Sequence, residues 1–248
     1  MDSARAVSGT CTIVRASLAQ AVQWDRIGRN PADRATPPKA KRYEPSTWTP
    51  EQIRQFLDQA ADHRLSAAWL LLATTGMRRS EVLGLRWSDV DLGEAGLHVR
   101  QSLVAVEYEI SFSEPKTEKS KRRVALDPHT IMALRSHRAR QSEEKLAAGG
   151  AYTDDDPVFA DEIGRPLHPE SLSQTFKRQA KAAGLPTIRL HDLRHSFATA
   201  ALEAGVPLKV VSDRLGHSSI SVTGDIYSHV STGLGEDAAA RVATAILG

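Results

Sequence analysis

The sequence predicts an α+β fold, mostly α, in which a helical domain carries one small antiparallel three-stranded sheet. Two patterns predict it. Apolar residues recur at helical spacing, behind recognisable start signals, through most of the chain. Alternating or β-branched runs are confined to residues 97–126. An apolar content of 41% and a charged content of 25% are those of a globular protein able to bury a core.

Residues 11–29 read as a helix, with Ile13, Val14, Leu18, Val22 and Ile27 near helical spacing. Asn30-Pro31 ends it, because the residue before proline is disfavoured in the α region. A linker rich in proline and lysine follows to Pro45. Thr49-Pro50-Glu51-Gln52 starts a helix, with Thr as cap, Pro in the first turn and Gln three residues past the cap. Its apolar face is Ile53, Phe56, Leu57 and Ala60. Residues 64–75 are apolar nearly all round, which predicts a buried central helix capped by Gly76. Strands are expected at 97–106, 108–112 and 122–126. Asp127-Pro128 starts a helix running to Gly149-Gly150, and further helices are expected at 169–183, 191–204, 207–215, about 219–229 and 236–247.

The bulk properties exclude several classes. The longest strongly apolar run, residues 67–73, is too short to span a bilayer. One cysteine, Cys11, rules out an internal disulfide and fits a reducing cytoplasm. The net charge of +2 is unevenly spread. Residues 1–44 hold eight Lys/Arg against four Asp/Glu, and the remainder holds 24 against 26. Contact with a polyanion by the main domain must therefore rely on local patches. The densest is Lys116, Lys119, Lys121, Arg122 and Arg123.

The chemistry-bearing residues come late and in order: His191-Asp192-Leu193-Arg194-His195, then Leu215-Gly216-His217, then Tyr227. They supply an anion clamp, proton-transfer groups and a nucleophile. Arginine presents a fork of donors that matches two phosphate oxygens. Histidine moves protons near neutral pH, and tyrosine can form a covalent intermediate. A phosphodiester suits the set. Upstream, Arg78 follows the Gly76 break at a helix start, where backbone N–H groups favour an anion. Glu81, three residues on, can hold its guanidinium. Two other readings remain open. His191, His195 and His217 could ligate zinc, although Arg194 would set a fixed charge beside the cation. The short helices of residues 197–222 could form a helix-turn-helix reader in a regulator without catalysis.

The ordered set Thr75-Gly76-Met77-Arg78-Arg79-Ser80-Glu81, Pro115-Lys116-Thr117, His191-x-x-Arg194, Leu215-Gly216-His217 and Tyr227 resembles the tyrosine recombinases, or phage integrases, from about residue 45 onward. The resemblance implies their catalytic fold over 46–248 and a site-specific DNA recombinase. Tyr227 would attack a scissile phosphate and leave a 3′-phosphotyrosyl bond. Arg78 and Arg194 would clamp the phosphate, Glu81 would support Arg78, and His217 would donate to a non-bridging oxygen. His191 would transfer a proton, and Lys116 would protonate the leaving 5′ oxygen, with Lys119 in reserve. Arg79, Lys119, Lys121, Arg122 and Arg123 are expected on the DNA backbone. No cofactor and no metal are implied. The implied partner is double-stranded DNA, bound by a homotetramer joined through the C-terminal helix. Residues 1–30 resemble the closing helix of the family's core-binding domain, with 31–45 as linker. The chain by itself is therefore expected to bind DNA weakly and recombine poorly.

Overall fold

The computed structural model describes residues 3–37, 45–106, 109–114, 121–217, 219–220, 224 and 244. The chain divides into two compact units, Met1–Pro45 and Ser46–Gly248.

In the first unit, helix α1 spans Ser3–Gln23, earlier at both ends than the expected 11–29. Asp25 turns into the left-handed region at φ 51°, which an α-helix cannot continue through. Asn30 instead caps a 3₁₀ turn over Pro31–Arg34, its Oδ1 accepting from the Ala32 N–H at 2.9 Å. Arg15 holds that turn to α1 by donating to the Ala35 carbonyl at 2.6 Å.

The second unit begins where Trp48 donates its backbone N–H to Ser196 Oγ at 2.9 Å and its indole N–H to the Pro186 carbonyl at 2.9 Å. Helix α2, Pro50–Gln59, has the reciprocal Thr49/Gln52 cap its sequence announces. Helix α3, Ser66–Thr75, is buried over most of its length and ends at Gly76, whose φ of 65° only glycine adopts at little cost. Helix α4, Arg79–Leu83, follows at once. Helix α5, Pro128–Ala148, starts at Asp127, which accepts from the His129 and Thr130 N–H groups. Helices α6 (Pro169–Ala182), α7 (Leu190–Glu203) and α8 (Leu208–Leu215) lie within a residue or so of their expected spans. The expected helices about 219–229 and 236–247 fall almost wholly outside the described residues.

The strands differ from expectation. The predicted run 97–106 is two strands, β2 (Gly96–Val99) and β3 (Ser102–Val106). A short β1, Val90–Asp91, pairs with β2, and β2 pairs with β5, Arg122–Ala125, giving an antiparallel three-stranded sheet of different membership. Among the described residues, strand β3 pairs with β4, Glu109–Ser113, as a separate two-stranded sheet. The break at Arg100-Gln101 is tertiary in origin. Gln101 donates to the Gly84 carbonyl at 2.8 Å, and Arg100 pairs with the buried Asp89 at 3.4 Å.

The core gathers around α3. Trp48, Phe56, Trp69 and Phe176 form a ring cluster with centroids 5.0–6.0 Å apart, a favourable aromatic spacing. A smaller cluster of Ala198, Leu202, Val211 and Leu215, with Phe197 against it, joins α7 to α8. The two clusters bring the C-terminal ends of α3 and α8 to one place.

Candidate active site

The last carbonyls of a helix lack intrahelical partners and carry partial negative charge. At the end of α8, backbone N–H groups take the first of them: Gly216 donates to Asp213 at 3.0 Å and His217 to Ser212 at 3.2 Å. The next three carbonyls each receive an arginine. Arg122 Nε donates to Arg214 O at 2.9 Å, Arg194 Nη2 to Leu215 O at 2.7 Å, and Arg78 Nη2 to Gly216 O at 3.2 Å. Arg194 Nη1 also donates to Gly76 O, at the end of α3, at 2.7 Å. Three guanidiniums from α7, β5 and the start of α4 thus converge on two helix C-termini.

Among the described residues, the carboxylate of Glu81 stands between two of these guanidiniums. Glu81, 3% exposed, accepts from the Arg78 N–H at 2.9 Å and Arg78 Nη1 at 2.7 Å. It also accepts from Arg122 Nη1 at 3.1 Å and Nη2 at 2.9 Å. Burial pushes its pKa up, but the Arg122 and Arg78 contacts outweigh that and hold it below the usual value. The α4 start that the sequence offers to an anion is filled by this side chain. Main-chain oxygens leave cationic charge intact where carboxylates would cancel it. Guanidinium groups seated on main-chain oxygens are the donor set that an oxyanion fits.

The histidines border this cluster. His217 is half-buried, and burial followed by the charges of Arg194 and Arg78 lowers its pKa to about 4. His191 is lowered to about 4 by crowding at its ring, then by His195 and Arg194, although the residue as a whole is exposed. The His191 and His195 rings meet edge-on with centroids 5.4 Å apart. Both His191 and His217 are therefore neutral at pH 7 and able to accept or share a proton. Among the described residues, no group of three or more His, Cys, Asp or Glu is arranged to hold a metal ion. The zinc reading thus lacks a ligand set there.

An open cleft of about 480 Å³ leads to the cluster, bordered by Arg122, Lys209, Ser212, Asp213, Gly216 and His217. A second groove of about 420 Å³ crosses the sheet past His98, Arg100, Lys121, Arg122 and Arg123.

The structure brings together Arg78, Glu81, Arg194 and His217, with His191 and His195 alongside. Lys116, Lys119 and Tyr227 lie outside the described residues. Lys121 is exposed and pairs with Glu114 at 3.5 Å, and Arg123 donates to Glu94 O at 2.6 Å beside it on the sheet. Arg79 and Arg122, also expected on the DNA backbone, have partners within the protein. Arg79 donates to Ser173 Oγ at 2.5 Å and Pro169 O at 3.2 Å, tying α4 to α6. Arg122, its side chain only 8% exposed, belongs to the arginine cluster. Strand alternation carried that signal, because Arg122 and the buried Val124 share a face two residues apart.

Comparison with known proteins places these features. Residues 47–233 match the model of the phage integrase family. A tyrosine recombinase XerC-like protein of Caldanaerobacter subterraneus subsp. tengcongensis is 39% identical over 207 residues, covering 79% of this chain and 53% of that protein. The ICEBs1 integrase of Bacillus subtilis is 27% identical, covering 92% and 62%. The chain thus spans between half and two thirds of the length of these relatives. The crystal structure of XerA recombinase superposes with a TM-score of 0.60 at 27% identity, covering 84% of this chain and 66% of that one. The Tn1549 transposon integrase, solved with transposon right end DNA, shares the fold at a TM-score of 0.78 and 22% identity, covering 96% and 79%.

Proposed function

We propose that this chain, which belongs to the phage integrase family, breaks and rejoins double-stranded DNA at specific sites by transesterification. The observation that supports the reading is the convergence of Arg78, Arg122 and Arg194 on the ends of α3 and α8, where each donates to a main-chain carbonyl. A main-chain oxygen takes no formal charge from a guanidinium, which suits groups that are to meet a scissile phosphate. In the proposed step the Tyr227 phenolic oxygen bonds to phosphorus while the bond to the 5′ oxygen breaks. Neutral His191 receives the phenolic proton, and Lys116 supplies one to the departing oxygen. Arg78 and Arg194 offset the charge that grows on the non-bridging oxygens, and His217 donates to one of them. Attack by a 5′ hydroxyl of a partner strand on the phosphotyrosine reverses the step and frees Tyr227. Phosphodiester energy is kept in the protein–DNA bond, so no nucleotide cofactor takes part.

Residues 46–248 are the proposed catalytic unit, and residues 1–30 the end of the DNA-holding segment that precedes it. Lys121 and Arg123, exposed on the sheet face, are the proposed phosphate-backbone contacts, together with Lys119. The proposed assembly is a homotetramer on two duplexes, with residues 236–247 docking on a neighbour, in the cytoplasm where the DNA lies. The match to the phage integrase family favours the recombinase over a regulator without catalysis. The test is a DNA substrate nicked beside the cleavage site, taken from the repeats flanking the gene. A protease-sensitive covalent adduct is expected with the wild-type chain and lost in Tyr227→Phe, which keeps the ring and removes only the oxygen. An adduct that survives in Tyr227→Phe places the nucleophile elsewhere.

A further inference from the structure

Glu81 holds two guanidiniums, and it holds them unequally. Arg122 takes the carboxylate with both terminal nitrogens, at 3.1 and 2.9 Å, in the two-point geometry that guanidinium and carboxylate share best. Arg78 reaches it with one terminal nitrogen, at 2.7 Å. Its other contact with Glu81 is its main-chain N–H. Exposure divides the same way. The Arg122 side chain is 8% exposed and that of Arg78 34%. The buried arginine therefore matches most of the negative charge, and the arginine nearer solvent keeps most of its own.

Arg122 has a second attachment. Its Nε donates to Arg214 O at 2.9 Å. A Cβ built on Gly216 would come within 2.8 Å of Arg122 Nη1. The guanidinium thus lies close against the backbone of Gly216. Removing Arg122 would release Glu81 to rotate onto Arg78, where a two-point pair is available at once because the two side chains are already bonded.

We propose that Arg122 is a positioning residue of the phosphate site: by occupying Glu81 it keeps Arg78 from being neutralised. This rests on the phosphodiester reading above. It differs from the expected role of Arg122 as a DNA-backbone contact, because it acts through Glu81 and not through an anion of its own.

The test uses the whole chain and inorganic orthovanadate, a phosphate-like oxyanion, titrated by ⁵¹V NMR. Side-chain ¹⁵N NMR of the Arg78 Nε–H supplies a readout that needs no anion. In Arg122→Gln, vanadate affinity is expected to fall roughly tenfold or more, the scale of one hydrogen bond to a charged group. The Arg78 Nε–H should exchange more slowly as Glu81 closes on it. In Glu81→Gln/Arg122→Gln the neutral amide no longer sequesters Arg78, and affinity should recover to within about threefold of wild type. If Arg122→Gln does not fold, Arg122→Lys keeps the charge but loses the fork, and an intermediate loss of about threefold is expected. Unchanged affinity and unchanged Arg78 exchange in Arg122→Gln or Arg122→Lys overturn the proposal. A loss that Glu81→Gln fails to relieve also overturns it, since Arg122 would then contact the anion directly. A wild-type chain that ignores vanadate while Arg122→Gln still slows Arg78 exchange refutes the phosphate reading and leaves the Arg122–Glu81–Arg78 coupling standing.

Discussion

Gly76→Ala isolates what the junction of α3, α7 and α8 demands. The residue sits at φ 65°, and a Cβ there would lie 2.4 Å from Phe197 Cδ1 and 2.7 Å from Leu215 Cδ2. Leu215 is fully buried, and the Arg214 guanidinium stacks over the Phe197 ring at 5.8 Å, so neither side chain can swing away without cost. The left-handed backbone costs about 1–2 kcal/mol for a residue with a Cβ. Forcing a methyl into a filled site costs about 1–3 kcal/mol more. Together the change should destabilise the second unit by roughly 2–5 kcal/mol, lowering a urea midpoint by about 1–2 M at the slopes usual for such domains. Gly205 is the control: its φ is 79°, but nothing lies within 4 Å of its added Cβ. Gly205→Ala should show only the backbone share, about 1–2 kcal/mol. The assay is equilibrium urea unfolding of both variants followed by tryptophan fluorescence. If Gly76→Ala costs no more than Gly205→Ala, the packing of Phe197 and Leu215 against Gly76 does not constrain the junction and the reasoning fails.

The other expectations concern the site. Arg78→Ala and Arg194→Ala should each slow cleavage by roughly 100-fold or more, by analogy with removing an oxyanion donor, while a loss below about threefold at either position removes that residue from the cluster. Cleavage is expected to survive EDTA, and inactivation by the chelator with recovery on adding zinc would revive the reading of His191, His195 and His217 as ligands. The pH dependence has a definite sign. His217 titrates at about 4 in the folded chain and near 6.5 when unfolded, so below 6.5 the unfolded state takes up a proton that the folded state refuses. Its contribution to stability is complete above 6.5 and is lost as pH falls toward 4. Melting temperatures measured from pH 7 to pH 4.5 should drop less steeply in His217→Asn than in wild type, and parallel curves would contradict the assignment.

The helices were legible because their signals are local. The Thr49/Gln52 cap, the Asp127 cap and the Gly76 and Gly216 terminators each act within one turn, and they appear where the sequence placed them. What escaped was set by distant partners. Strand β1 is two residues long and exists through its pairing with β2. The break between β2 and β3 follows from Gln101 reaching Gly84, which no local pattern announces. The positions of Arg78, Glu81, Arg194 and His217 could be picked out as residue types able to bind an anion. The inward turn of Arg122 was also written in the chain, in its alternation with Val124, but it was masked by the basic run 121–123. The acceptors could not be read at all, because a carbonyl oxygen is common to every residue type.

That last point shapes how this pocket can vary. Besides the Glu81 carboxylate, its acceptors are the main-chain oxygens of Gly76, Arg214, Leu215 and Gly216, and no codon specifies any of these oxygens directly. The side chains at 214 and 215 can drift as far as packing allows while the oxygens stay in place. Conversely, no side-chain exchange can remove one of these four oxygens, and an ester in place of the backbone amide at 77, 215, 216 or 217 would weaken one by dulling its carbonyl. The three guanidiniums are also mounted on one short helix end. A tilt of α8 would carry the seats of all three at once, so the pocket is tuned or detuned as a unit and not one charge at a time.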